Sequence, residues 1–431
     1  MQKPSAEEKL KCFIILLIIS TLLSGCNTQT GSDKEKKSGS NSIESDQVLE
    51  MEQKMLSSDS EITKINIDID SKSPGSLALY DIIESIEYIA LETKDECVIG
   101  TISRNFHFEI SDNYILTQCS KVGRYYLFNR KGSFIVHIGN IGEGPGEYLN
   151  TAKPYLIDEE NKQVVLFAIN PDRYIYYDMK GKHIKTIQSD NKDISERTRG
   201  RITKLFNEGM LLMIPNLGDV PFSYTILDDN FNTVAQHIKP VQYTRNPNFM
   251  VSTGEPFCYY IYGNKMHVRN NNLNDTLYFF ANSQRIIPKF TINAGIYEVT
   301  TDMLTDENIF KRSYINMISA FESKDYLFIR YTFQRKSYFC YYDKNLQKLF
   351  HIESETGISN DFDGGLDFWP LQQYNNELYT FYDAYLFEEN AEKSNKIQPK
   401  GPKGAIDFMK EFSGKIDPEN NPVLVIAKLK K

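Results

Sequence analysis

Between Tyr125 and Tyr148 the chain reads YYLFNRKGSFIVHIGNIGEGPGEY, two short apolar runs around a polar turn, followed by a Gly-Pro-Gly loop. Weaker copies of the hairpin begin at Tyr174 (YIYYDMKGKHIKTI), Tyr224 (YTILDDNFNTVAQHI), Leu277 (LYFFANSQRIIPKF) and Tyr338 (YFCYYDKNLQKLFHI). The successive spacings are 49, 50, 53 and 61 residues. A unit of four antiparallel strands needs about 40 to 50 residues, so each spacing holds one unit and a small insertion. Turn chemistry keeps the same register. Asn129, Asp178, Asp228 and Asp343 open the turns, where a short acceptor side chain bonds the backbone two residues on, and Gly132 and Gly181 stand where positive φ is expected. Tyr174–Tyr177 and Tyr338–Tyr342 are apolar or aromatic at consecutive positions, as in strands covered on both faces. The pattern predicts an all-β protein, a β-propeller.

Further strands flank the five hairpins on both sides. IEYIALET (Ile86–Thr93) and a strand near Tyr114–Thr117 precede the first, and ELYTFYDAYLF (Glu377–Phe387) and PVLVIAKLK (Pro422–Lys430) follow the last, which gives a six-bladed β-propeller. An open ring would leave bare sheet edges, so closure is expected between ITKINIDID (Ile62–Asp70) and PVLVIAKLK. A few short inserted helices are expected near Asp193–Asn207, Thr301–Ser319 and Pro402–Phe412.

The amino terminus is a different object. Lys9 and Lys11 precede CFIILLIISTLLSG, an apolar run too short to span a bilayer comfortably, ending in Leu23-Ser24-Gly25-Cys26. This resembles a bacterial lipobox, which implies a lipoprotein signal peptide over 1–25, cleavage before Cys26, and lipidation of Cys26. Residues 26–60 are rich in Ser, Gly, Lys and acidic residues with almost no aromatics, so a flexible tether is expected there. The propeller then occupies 61–431.

Aromatic content, 27 Tyr and 26 Phe, suffices for one large core. The formal charge is −8, and loss of residues 1–25 with three lysines and two glutamates brings it near −9. That balance disfavours nucleic acid as a partner. Cys97, Cys119, Cys258 and Cys340 lie on separate units with no C-x-x-C, so buried free thiols are expected rather than a disulfide framework.

GNIGEGPGEY (Gly139–Tyr148), its preceding hairpin, IEYIALET, the late DFDGGLDFWP (Asp361–Pro370) and the terminal NPVLVIAKLK together resemble the six-bladed β-propeller lipoproteins of Bacteroides-type bacteria, over roughly 62–430. The individual hairpins are NHL-like in a general sense. The resemblance implies an outer-membrane lipoprotein, held to the membrane through its lipid, on the periplasmic side or at the cell surface. Acidic residues after the lipidated cysteine direct surface export in such bacteria. Here Asp33 and Glu35 alternate with Lys34, Lys36 and Lys37, so both leaflets stay open.

Candidate chemistry is sparse. Gly142, Gly144 and Gly146 have a spacing unlike a phosphate loop, with no following Lys-Ser/Thr, and read as a structural turn from which Glu147 and Tyr148 project. Asp361, Asp363 and Asp367 invite calcium but lack the later bidentate glutamate of an EF-hand. Trp369, the single tryptophan, offers a stacking surface for a sugar or peptide, or a loop anchor. His137, His183, His237 and His351 fall on the return strand of the repeat, which explains them without a shared metal. No H-E-x-x-H and no G-x-S-x-G occurs, and no metal or cofactor is assigned. Glu147, Tyr148, Asp363 and Trp369 stand as candidate ligand contacts. The reading favoured is a noncatalytic scaffold for a glycan, a peptide or an envelope protein. The alternative is a lactonase, lyase or hydrolase with carboxylates or a metal in the central channel.

Overall fold

The computed structural model describes residues 62–431 apart from 71, 103–105, 107, 120–121, 170–172, 189–200, 205–208, 217, 219–220, 245–256, 272, 306–311 and 394–397. The expected signal peptide, Cys26, the tether and most of the expected 193–207 helix lie outside the described residues, and Arg201–Lys204 is a strand.

The protein is all-β with a few helices and a propeller-like arrangement of antiparallel sheets. The first sheet runs Phe108–Ile110, Tyr114–Gln118, Tyr125–Asn129, Phe134–Ile138. The second runs Asn150–Asp158, Gln163–Ile169, Arg173–Asp178, His183–Gln188, and the third Arg201–Lys204, Met210–Met213, Phe222–Leu227, Thr233–Ile238. Ile315–Glu322, Tyr326–Phe333, Lys336–Asp343 and Lys348–Ile352 form a further sheet, to which Pro74–Gly75 adds a fifth strand in parallel. A nine-stranded sheet consists of two parts. One holds Phe257–Tyr262, Lys265–Asn270, Thr276–Asn282 and Arg285–Asn293, extended in parallel by Thr63–Asn66. The other holds Gln372–Tyr374, Glu377–Tyr382, Val423–Leu429 and Ile83–Ala90. A single parallel bridge, Ile261 with Tyr374, joins them.

Every hairpin picked out by the repeat forms the last two strands of its own antiparallel set. The turn chemistry is as expected. Asn129 Oδ1 accepts from the Lys131 and Ser133 amides at 2.9 and 3.0 Å. Asp178 repeats this with Lys180 and Lys182, Asp228 with Asn230 and Asn232, and Asp343 with Asn345 and Leu346. Gly181, at φ +75°, has a second role: a Cβ there would stand 2.1 Å from the His137 carbonyl of the preceding sheet. The turn therefore doubles as a point of close sheet-to-sheet contact.

The apolar faces pack sheet against sheet. Leu127 and Ile138 meet Leu166 and Tyr177 between the first and second sheets, and Phe167 and Tyr174 meet Leu212 and Phe231 between the second and third. Met213 and Tyr224 meet Met266 and Val268, Tyr260 and Leu277 meet Ile329 and Tyr331, and Phe321 and Phe339 meet Val425 and Ala427. Phe381 and Leu424 then meet Phe108 and Phe128, returning to the first sheet. Each fully buried aromatic of this kind contributes about 1.5–3 kcal/mol relative to exposure.

Three expectations are corrected. Val423–Leu429 pairs with Ile83–Ala90, antiparallel, rather than with 62–70. Thr63–Asn66 runs parallel and can only extend an outer edge. In the second insertion the described helix is Thr301–Thr305, and Ile315–Glu322 is a strand whose alternate apolar side chains line a core. Glu377–Phe387 is a strand only to Tyr382, after which Tyr385–Lys393 is helical and packs Phe387 beneath Tyr88. The Lys403–Lys415 helix lies where expected. The four cysteines are buried free thiols.

Deleting 422–431 removes a strand bonded on both sides and should abolish a cooperative unfolding transition, since the whole margin of such a domain is about 5–15 kcal/mol. Deleting 62–75 strips only outer strands, so the protein should still melt cooperatively, at a lower temperature. Thermal denaturation followed by circular dichroism compares the two, and equal effects would contradict the closing role of 423–429.

Candidate functional site

The most unusual cluster of charge among the described residues is built on Glu322, at the end of Ile315–Glu322. Its side chain is 1 % exposed yet ionisable, and burying a lone carboxylate is too costly to tolerate without partners. Lys289 supplies the first, through an irregularity in its strand. Tyr278 pairs with Pro288 and Leu277 with Phe290, so Lys289 is the extra residue of a bulge. Proline lacks the N–H that would continue the ladder, and the bulge turns Lys289 toward the neighbouring sheet. Its Nζ donates to both Glu322 oxygens at 2.8 Å. Lys344, in the Asp343–Asn345 turn, donates to Oε1 at 2.6 Å and to the Ser323 carbonyl at 2.6 Å. Tyr260 donates its hydroxyl to Oε2 at 3.1 Å.

Gln373 brackets the Glu322 backbone, accepting from its amide at 2.8 Å and donating to its carbonyl at 2.6 Å. His267 stacks on Tyr260 with ring centroids 4.7 Å apart. Its Nδ1 lies 3.0 Å from the Lys265 carbonyl and its Nε2 3.2 Å from Lys289 Nζ, an arrangement that suits the neutral Nδ1–H tautomer. Burial, reinforced by Lys289, holds the imidazole down at about 4. Burial pushes the Glu322 carboxyl up, but the attraction of Lys289 and Lys344 outweighs it and leaves the group below its usual value.

Beside this cluster lies a pocket of about 270 Å³, with Phe279, Pro288 and Phe290 on one wall and Tyr342, Lys344 and Gln347 on the other. Nothing in the sequence pattern singles out Glu322 or Lys344, which read as ordinary turn residues. The proline inside IIPKF was the available signal for Lys289, and His267 stood out only by falling off the return-strand pattern.

The sequence-derived candidates sit elsewhere, in two loops whose residues join different core clusters. Tyr148 is buried, its hydroxyl donating to the Ile138 carbonyl at 3.1 Å, and burial raises that hydroxyl to about 12. Glu147 is half-buried and folds back to accept from the Gly144 amide at 2.8 Å, occupying the concavity where a phosphate would have to sit. Arg173 and Tyr177 of the second sheet clamp the loop by donating to the Glu147 and Gly146 carbonyls. Asp363 is buried, accepting from the Tyr88 hydroxyl and the Gly365 amide, both at 2.9 Å. Trp369 is buried edge-on to Phe321 and Phe339 and donates to Ser319 Oγ at 3.1 Å.

The three aspartates of that loop diverge. Asp361 takes the Tyr80 amide and Lys400, while Asp367 takes Ser354 and Thr356. Among the described residues no three His, Cys, Asp or Glu side chains converge as a metal site would require. The return-strand histidines meet aromatic partners of their own sheets: His137 against Tyr126, His183 against Tyr177, His237 against Tyr224, and His351 at 2.8 Å from the Tyr331 hydroxyl. No helix among the described residues is long and apolar enough to cross a membrane.

The profile of the domain of unknown function DUF4934 matches residues 62–428. A crystal structure of a "Putative exported protein" from Bacteroides fragilis superposes with a TM-score of 0.61 at 18% identity, covering 86% of this chain and 100% of that one, a likeness of fold. A member of the DUF4221 family from Bacteroides vulgatus aligns with a TM-score of 0.45 at 11% identity, over 81% of this chain and 97% of that one. No curated protein matches the sequence.

His237, His267 and His351 are all held down to about 4, in each case first by burial. A histidine with a depressed folded value takes up its proton more readily when unfolded. It therefore favours folding above the ordinary histidine range and loses that contribution as pH falls toward about 4. The melting temperature should drop between pH 6.5 and 4, and His351→Gln should flatten part of that slope. An unchanged melting temperature across this window would contradict the burial of neutral imidazoles.

Proposed function

The chain belongs to the family of the domain of unknown function DUF4934, and from that premise we propose an exported, lipid-anchored, six-bladed β-propeller that binds an envelope partner without turning it over. The six-bladed count draws support from the single bridge at Ile261, which divides the nine-stranded sheet into two sets of blade size. It also draws support from core clusters that pass from sheet to sheet and return to the first. Export is suggested by the name of the Bacteroides fragilis relative, and anchoring by the order of Leu23, Ser24, Gly25 and Cys26.

The observation that carries the binding reading is an asymmetry between the two ends of the sheets. Four antiparallel strands return the chain to the end from which the next sheet starts, so long connections collect at one end and tight hairpins at the other. Exposed large apolar side chains are more frequent at the end of the long connections, as Val98, Val122, Ile141, Leu149, Ile296, Leu371, Tyr385 and Phe408, than at the tight-turn end, as Ile62, Tyr80, Leu346 and Tyr374, with Ile135, Ile184 and Val234 on strands. Apolar exposure gathered at one end supports a contact surface for protein there. The residues beneath it, Glu147, Tyr148, Asp363 and Trp369, brace the two loops. A rigid apolar platform suits binding.

Cys26→Ala should abolish labelling with a radiolabelled fatty acid and release the protein from membranes, and persistent labelling would refute the anchor. Leu149→Asp combined with Phe408→Asp should leave the melting profile intact and lose the partner retained by wild type in pull-downs from native envelope. Turnover of a glycan, peptide or lactone by the purified protein would overturn the noncatalytic reading and promote the propeller-enzyme alternative.

A further inference from the structure

The pocket beside Glu322 lies among the tight turns, at the end opposite the partner surface. Its charges do not cancel. Lys289 and Lys344 share one carboxylate, and His267, which accepts from Lys289, adds no charge at neutral pH. The other lining groups that face it, Thr63, Gln347 and the aromatic walls, are neutral. The nearby turn acids keep their charge but spend their acceptors on the turn: Asp343 caps the Asn345 and Leu346 amides, and Asp325 takes Asn345 Nδ2 at 3.3 Å. Lys265 adds a further ammonium 4.7 Å from the Phe279 ring. The lining itself thus presents two ammonium groups against one carboxylate.

Access is as uneven as charge. Glu322 forms the sealed floor at 1 % exposure, whereas the Lys289 and Lys344 side chains keep 30 % and 23 %. Solvent thus reaches the two ammonium groups far more than the carboxylate. Aromatic and apolar side chains complete the lining, Phe279, Pro288 and Phe290 from one sheet and Tyr342 from the next. The volume equals that of about nine liquid waters, enough for one ring and a short charged arm.

We propose that this pocket is a binding site for a small organic carboxylate with a flat apolar body, its charge held by Lys289 and Lys344 and its body against Phe279, Phe290 and Tyr342. Glu322 then has two roles. It pre-orders the two ammonium groups between adjacent sheets, and it limits affinity by competing with the ligand for them.

Three probes with one ring and different charge test this on the purified full-length protein by calorimetry: phenylacetate, 2-phenylacetamide and phenethylamine. Phenylacetate should bind at least about tenfold more tightly than either of the others, the scale of one charge-assisted hydrogen bond. Glu322→Gln, in protein shown to be folded by circular dichroism, should tighten phenylacetate binding several-fold, because the internal competitor is neutralised. A purely structural cluster gives no reason for that gain. Gln347→Glu, at the exposed rim and away from the ion cluster, should weaken binding several-fold without altering the melting temperature. Equal binding of the amide or the amine, absence of saturable phenylacetate binding, or weaker binding by folded Glu322→Gln would each overturn the assignment. None of these outcomes touches the partner surface at the other end, which the pull-down tests separately.

Discussion

A sheet edge exposes backbone groups that must be paired or hidden, and this constraint organises the whole molecule. The chain meets it by interlocking its ends. Val423–Leu429, the last strand, is bonded on one side to Glu377–Tyr382 and on the other to Ile83–Ala90. The register runs Val423 with Ala90 through Leu429 with Ile83, and a final tie passes from the Lys430 amide to the Ile82 carbonyl. Loop polar groups reinforce the same seam: Asn421 donates to the Glu92 and Cys97 carbonyls and accepts from the Ile99 amide. The segment before Ile83 then serves the other outer edges, with Pro74–Gly75 and Thr63–Asn66 lying in parallel on two further sheets. Order along the chain thus becomes a strap around the outside, fixed only when the carboxy-terminal strand arrives.

Within that frame Glu322 solves a local problem at a junction. Three sheet segments meet at its backbone and side chain: its own, the one carrying Lys289 and Tyr260, and the one carrying Gln373. Apolar residues would fill the gap more cheaply, since a buried ion pair gains little net stability, while removing one partner costs about 3–5 kcal/mol. What the ions add is direction. The carboxylate accepts from two ammonium groups and a phenol at fixed angles, which orders the Lys289 bulge and the Lys344 turn against each other. The same groups line the pocket, two ammonium groups against one carboxylate, so one arrangement sets both the junction and the lining of the adjacent cavity.

The repeat, its turn acceptors and the all-β class were legible because they are local. An aspartate two residues before the amide it bonds leaves a mark at constant spacing, and so do apolar runs of strand length. Gly132 and Gly181 were legible for the same reason, although the third and fifth hairpins reach the left-handed region with Phe231 and Gln347 instead, at φ of 63° and 51°. The closing partner was missed because 62–70 and 83–90 are equally strand-like, and only the direction of the chain at the outer edge separates them. The candidate cluster was missed because burial of Glu322, Lys289 and Lys344 arises between segments far apart in sequence. Each is an unremarkable charged residue in its own window. Tyr148, Asp363 and Trp369 were conspicuous for their loop motifs, and the motifs reflect bracing: each polar atom finds its partner inside the fold.

Rigidity is the common product of these features, and it bears on how the two ends differ. The Pro370–Tyr374 stretch links them, because Trp369 anchors the long loop through Ser319 and Gln373 grips Glu322 three residues further along the same neighbouring strand. Gln372 meanwhile donates to the Phe108 carbonyl, tying the stretch to the first sheet. A displacement of the Asp361–Trp369 loop would therefore strain contacts to two other sheets at once, and packed interiors resist such strain because they deform little. The loop end presents apolar side chains on this stiff base, where burying each at an interface yields its transfer energy with little ordering entropy to offset. The tight-turn end presents held ammonium groups, where the gain comes from charge in a partly sheltered cavity. On the two proposals made above, one frame would carry two recognition surfaces that rest on different physics, and neither would need the other to move.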